Sequence, residues 1–204
     1  MIKNIVFDMG KVLVEYDAMR VCEHYIEDPH DRKRVCTAIF VSPEWILLDM
    51  GVMPEEMAFG KICERLPKRL HSAARQCFDH WHEYCMTSMT EMGPVVKGLK
   101  EQGYGIYLCS NASMRLLDCY QKVIPGIEYF DGILFSAAER CIKPQKEIYE
   151  RLFGRFGLRP EECFFIDDQQ LNIDAANACG MAGYCFADGD IGKLKAVLGG
   201  LNRK

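Results

Sequence analysis

Four short stretches hold residue types that could do chemistry together. Asp8 closes the apolar run Ile5-Val6-Phe7 and is followed by Met9-Gly10. Ser110-Asn111 follows Leu108-Cys109, Lys143 precedes Pro144, and Asp167-Asp168 ends the run Cys163–Ile166, with Asn172 just beyond. The carboxylates offer oxygen ligands to a hard cation such as Mg²⁺, which binds one or two carboxylates together with substrate phosphate. Such a cation also removes the repulsion between adjacent carboxylates. Ser110 and the neighbouring backbone amides could hold an anion, and Lys143 could neutralise phosphoryl oxygens, since positioning and charge compensation dominate phosphoryl transfer. One carboxylate is then left to attack, through an aspartyl-phosphate intermediate. Each residue also has a plainer duty. Asp8 could make a strand-end turn, Ser110-Asn111 could cap a helix, and Lys143 could be a solvated lysine at a helix start.

Residues this far apart in sequence meet only if strand tips converge. Apolar, β-branched runs at 4–7, 104–109, 132–135, 163–166 and 183–186 read as strands, and helical patterns at 93–102, 113–122, 145–156, 170–179 and 190–199 alternate with the later ones. Alternation of this kind predicts an α/β fold: a Rossmann-like parallel sheet covered on both faces, with ligands at its carboxyl edge. The stretch 18–92 reads as helices at about 18–27, 30–41, 43–50, 54–66 and 70–88, with Pro29, Pro43, Pro54 and Pro67 near their starts and no strand. The expected organisation is therefore a core of residues 1–17 and 93–204 with a small all-helical cap, 18–92, inserted after strand one.

Composition narrows the function classes. The 204 residues are 49% hydrophobic and 26% charged, as in ordinary globular proteins. A formal net charge of -4 provides no basic field for nucleic acid or an anionic membrane. The apolar runs are too short to span a bilayer, and Met1–Asn4 leads into the first strand without an apolar signal segment. Eleven scattered cysteines without Cys-x-x-Cys spacing read as reduced thiols in a cytoplasmic protein. The expected partner is a small phosphorylated molecule; whether the chain is a monomer or a dimer stays open.

The ordered set Ile5–Leu13, Leu108–Asn111, Lys143-Pro144 and Phe165–Asn172 resembles the four motifs of the haloacid dehalogenase superfamily across nearly the whole chain. The helical insert is similar to that superfamily's small cap, and the Asp-x-Gly first motif resembles its sugar-phosphate phosphatases. The resemblance implies Mg²⁺-dependent hydrolysis with Asp8 as nucleophile and metal ligand. Ser110 and the Asn111 backbone would bind the phosphoryl group, with Lys143 paired to it and to Asp8. Asp168 would be a direct metal ligand, Asp167 a direct or water-mediated one, and the Gly10 carbonyl a further one. Asn172 would buttress the loop.

Most phosphatases of the superfamily carry a second Asp two residues after the nucleophile, as general acid and base; here that residue is Gly10. Losing a placed proton donor typically costs about 10²–10⁴-fold. A slow enzyme, an easily expelled alcohol or a replacement acid would follow, with Asp17 near the hinge as one candidate besides its helix-capping role. In the insert, Trp45 and Trp81 read as core anchors, His80 and His82 as solvated, and Asp49 lies near them in the helical stretch. The alternatives are a dehalogenase-like hydrolase, which needs no metal and lacks the second Asp, and a non-catalytic binding protein.

Overall fold

The structure, a computed structural model, describes residues 1–201. A five-stranded parallel sheet runs β5-β4-β1-β6-β7, formed by β1 (Asn4–Phe7), β4 (Gly105–Ser110), β5 (Gly132–Phe135), β6 (Cys163–Asp167) and β7 (Ala182–Cys185). Successive side chains of a strand point to opposite faces, and here both faces are apolar. Ile5, Phe7, Ile106, Leu108, Phe164 and Ile166 enter one core cluster, while Val6, Cys109, Cys163 and Phe165 enter the other. Helices α6 (Met92–Glu101) and α10 (Ile191–Gly200) cover the first face through Val96, Leu99 and Leu194. Helices α8 (Lys146–Phe156) and α9 (Gln170–Ala178) cover the second through Ile148, Leu152 and Ile173. The chain leaves central β1 for β4 and β5 on one side, then crosses to β6 and β7 on the other. The tips of β1, β4 and β6 therefore flank the topological switch point.

Between β1 and β4 the chain first curls back on itself. Met9's carbonyl accepts from the N–H groups of Leu13 and Val14, both at 2.9 Å, and Lys11 adopts φ 55°. The curl leads into β2 (Val14–Tyr16), which pairs antiparallel with β3 (Met86–Ser88). Five helices lie between these two short strands: α1 (Met19–Tyr25), α2 (Pro29–Phe40), α3 (Pro43–Asp49), α4 (Glu55–Glu64) and α5 (His71–Tyr84). Pro29 and Pro43 open α2 and α3 at their first turns, with Asp28 and Ser42 capping them. Val21, Ile39, Leu48, Ile62, Phe78 and Trp81 form the buried seam among these helices.

Several elements differ from the sequence reading, which contains no strand at β2. The last helix of the insert stops at Tyr84, and residues 86–88, expected within it, form β3, because their backbone completes a ladder with β2 that only the folded chain supplies. The helix expected at 113–122 is two 3₁₀ turns, Met114–Asp118 and Tyr120–Lys122, broken at Cys119 with φ −131°. Gly103 (φ 90°) and Gly157 (φ 64°) do end α6 and α8 in the left-handed conformation that favours glycine. Among the described residues no helix is long and apolar enough to cross a membrane.

Candidate active site

The sheet's carboxyl edge and the helical insert enclose a cavity of about 220 Å³. Its floor is polar. Asp8 follows β1 and is 7% exposed, Ser110 is the last residue of β4, and Asp168 follows β6; all three line the cavity together with Gly10, Asn111 and Lys143. The tip positions expected to converge therefore share one space.

Lys143 organises the floor. Its Nζ stands 2.7 Å from Asp8 Oδ1 and 2.7 Å from Asp167 Oδ2, and the residue is only 3% exposed. Burial alone would lower its pKa, but the flanking Asp8 and Asp167 charges prevail and keep it protonated. The Asn111 side chain fixes the backbone of Lys143 twice. Its Oδ1 accepts the Lys143 N–H at 2.8 Å, and its Nδ2 donates to the Lys143 carbonyl at 3.0 Å. Asn111's amide is thus a clamp on the lysine loop, so an anion would meet its backbone.

Asp167 is fully buried and does not line the cavity. Oδ1 accepts from the Gln169 N–H at 2.8 Å and from Asn172 Nδ2 at 3.0 Å, while Oδ2 accepts from Lys143 and from Asn172 at 3.1 Å. Asn172 is itself held by packing, and its carbonyl accepts from the Tyr149 hydroxyl at 2.8 Å. Asp168 is more open, with Lys11 Nζ at 3.7 Å its nearest cation.

Ligand oxygens of Asp8, Asp167 and Asp168 lie within 4.8 Å of one another. Burial pushes the Asp8 carboxyl up against the pull of Lys143, and burial plus the Asp167 charge pushes Asp168 up. A cluster of three carboxylates with one buried lysine keeps a surplus of negative charge, and its donors are all oxygen. That donor set fits a hard divalent cation such as Mg²⁺.

The cavity's other walls are Tyr16 on β2, Met86 on β3, and Trp45, Asp49 and Trp81 from the helices between them, with Leu116 contributed by the 3₁₀ turn after β4. Trp45 packs edge-on against Trp81 at 5.2 Å between centroids, and Tyr16 edge-on against Trp81 at 6.1 Å. The tryptophans are therefore both insert anchors and cavity walls. His80 lies outside, bonded to Glu83 at 2.8 Å, and His82 lines a separate cleft beside Arg115.

Asp17 does not reach the cavity. Its Oδ1 accepts the Met19 N–H at 2.9 Å and the side chain is more than half exposed; the N-cap of α1 is Ala18 and not Asp17, whose bond closes the turn that leads into the helix. The acid that does line the cavity is Asp49, which sequence reasoning left without a role. One signal was available: Asp49 ends the helix Pro43–Asp49, where the helix dipole disfavours an acid.

Contacts across the two parts hold the insert down. Ser136 Oγ, on α7 (Ser136–Glu139), donates to the Asp49 carbonyl at 2.5 Å. Arg115, beyond β4, bonds Glu55 with its Nε at 3.1 Å and reaches the Asp79 carbonyl. Gly51 (φ 70°) lies so close to α7 that an added Cβ would stand 2.0 Å from the Ala137 carbonyl oxygen.

Comparison with known proteins gives the family. Over 189 residues the chain is 25% identical to a sesquiterpene phosphatase of Aspergillus oryzae, covering 91% of this chain and 90% of that one. It is 22% identical to a pyrophosphatase of Bacillus cereus, covering 84% and 77%. An enzyme of the same superfamily from Bacteroides thetaiotaomicron, solved with magnesium and inorganic phosphate, superposes with a TM-score of 0.71 at 22% identity over 90% of this chain and 93% of that one. The haloacid dehalogenase-like hydrolase family matches residues 2–180, a range that contains every residue of the polar floor. The chain belongs to the haloacid dehalogenase-like hydrolases.

Proposed function

We propose that the chain is a Mg²⁺-dependent phosphatase that hydrolyses a small phosphorylated metabolite through an aspartyl-phosphate on Asp8. The observation that carries this reading is the position of Lys143, held 2.7 Å from Asp8 and aimed at the space where Asp8, Ser110 and Asp168 meet. A buried cation there neutralises phosphoryl oxygens as charge shifts during transfer. Asp8 attacks phosphorus, the alcohol leaves, and water then cleaves the acyl phosphate. Ser110 and the Asn111 backbone amide hold the phosphoryl oxygens, while Asn172 and Asp167 keep Lys143 in place.

The metal would be held by Asp8, Asp168 and the Gly10 carbonyl. Asp167, its oxygens already engaged, would act through water. Mg²⁺ so bound supplies charge neutralisation to the phosphoryl group. Similarity to a sesquiterpene phosphatase and a pyrophosphatase supports the reaction class. The helical insert acts as the cap that surrounds the alcohol. The aromatic faces of Trp45, Trp81 and Tyr16 suit the C–H face of a sugar ring, which keeps sugar phosphates as the first class to test, ahead of apolar alkyl phosphates. All eleven cysteines are unpaired thiols, and a reducing compartment such as the cytoplasm suits them.

A dehalogenase also attacks from an Asp, on carbon and without a metal. The three-carboxylate cluster favours the phosphatase. The test is a panel of sugar phosphates, alkyl phosphates and a 2-haloacid, each assayed with Mg²⁺ and with EDTA. Phosphate release that requires Mg²⁺ is expected. Halide release that survives EDTA, with no phosphate from any ester, would reverse the assignment.

A further inference from the structure

Gly10 leaves the departing alcohol without the usual proton donor, and the cavity contains one acid that the polar floor does not use. Asp49 lines the cavity from the insert. Its carboxylate accepts the backbone N–H of Ser113, three residues past Ser110, and its carbonyl is held by Ser136. The side chain is thereby fixed beside the loop that carries Ser110 and Asn111. Trp45, Trp81 and Leu116 surround the same space, and no cation among the described residues pairs with Asp49. Burial pushes its carboxyl up to about 7, so an appreciable fraction stays protonated near neutral pH. The titratable or charged groups facing it are Tyr16 on β2 and, across the cavity, Asp8, Lys11, Lys143 and Asp168. The Tyr16 hydroxyl is buried without a hydrogen-bond partner among the described residues and feels the Asp49 charge.

We propose that Asp49 is the general acid and base of this enzyme, supplied by the insert in place of the carboxylate missing at residue 10. The inference rests on the phosphatase reading. In the first step the Asp8 oxygen–phosphorus bond forms as the bond from phosphorus to the alcohol oxygen breaks, and the Asp49 proton goes to that oxygen. In the second step water attacks phosphorus, the bond from Asp8 to phosphorus breaks, and the Asp49 carboxylate takes the proton of the water. Phosphate leaves and the acid is restored.

The test compares an alkyl phosphate with 4-nitrophenyl phosphate, whose leaving group needs little protonation, using the Mg²⁺-loaded full chain. In Asp49→Asn the ratio of alkyl to aryl kcat/KM, which reports the steps up to formation of the Asp8 phosphate, should fall by about 10²-fold. The kcat of the unmodified enzyme should fall as pH rises through about 7, and this limb should be missing from the variant. A Cβ at residue 10 meets nothing within 4 Å, so an acid can be placed there. Gly10→Asp should restore the alkyl rate in the Asp49→Asn background. Equal losses of kcat/KM on both substrates, or an alkaline limb that persists in the variant, would overturn the role of Asp49 and leave the phosphatase reading standing. Release of phosphate from neither substrate by the unmodified chain would overturn both.

Discussion

Lys143 between Asp8 and Asp167 sets the electrostatics of the site. One buried cation faces three carboxylates, so the surplus negative charge resists folding until a divalent ion offsets it. Mg²⁺ should therefore stabilise the folded chain. A ligand at 100 times its Kd contributes about 2.7 kcal/mol, or roughly 5–10 °C in Tm for a chain of this size. Asp168→Ala should abolish that shift without lowering Tm in the metal-free protein, because it removes a repelling charge. A thermal melt with and without Mg²⁺ checks both halves; an undiminished shift in the variant would remove Asp168 from the metal site. Asp8, Ser110 and Asp168 were legible in the sequence because each closes or follows an apolar run, and Lys143 because it precedes Pro144 in the loop after the third strand. Asp49 and Tyr16 were not legible as a pair. They come from separate elements, β2 and α3, and only the folded chain places both on one cavity.

At the level of elements, the sheet was legible and the hinge was not. Runs such as Ile5–Phe7 and Cys163–Ile166 are apolar on both faces, the mark of strands buried in a parallel sheet. The pair β2–β3 has three residues per strand, a half-exposed pattern and the whole of residues 17–85 between its strands, so no local period announces it. The 3₁₀ turns after β4 were hidden because 113–122 has helical spacing, while Arg115 is drawn to Glu55 and Asp79 of the insert. At Gly51 the backbone of the insert lies close against α7. Gly51→Ala forces a left-handed backbone on a residue with a Cβ, costing about 1–2 kcal/mol, and drives that Cβ into the Ala137 carbonyl. The expected outcome is a lower Tm, a raised KM and faster proteolysis between α3 and α4. A variant with unaltered KM would mean that this contact does not govern closure over the substrate.

For the whole molecule, two layers of helices on one sheet make a rigid base, and the insert is the part able to vary the substrate. In the proposed mechanism the base would carry attack and charge compensation at the tips of β1, β4 and β6; the insert contributes aromatic walls and one acid. That division explains why the reaction class could be read from the sequence and the alcohol could not, since walls are assembled from residues on five elements with no fixed spacing. The central claim is that Asp8 becomes phosphorylated during turnover. Rapid quenching of the Mg²⁺-loaded enzyme with a hydrolysed phosphomonoester, followed by peptide mass spectrometry, tests it most directly. The account predicts one phosphoryl group on Asp8, formed before free phosphate reaches its steady rate and absent in Asp8→Asn. Steady turnover with residue 8 never modified, or with the phosphoryl group on another residue, would contradict it.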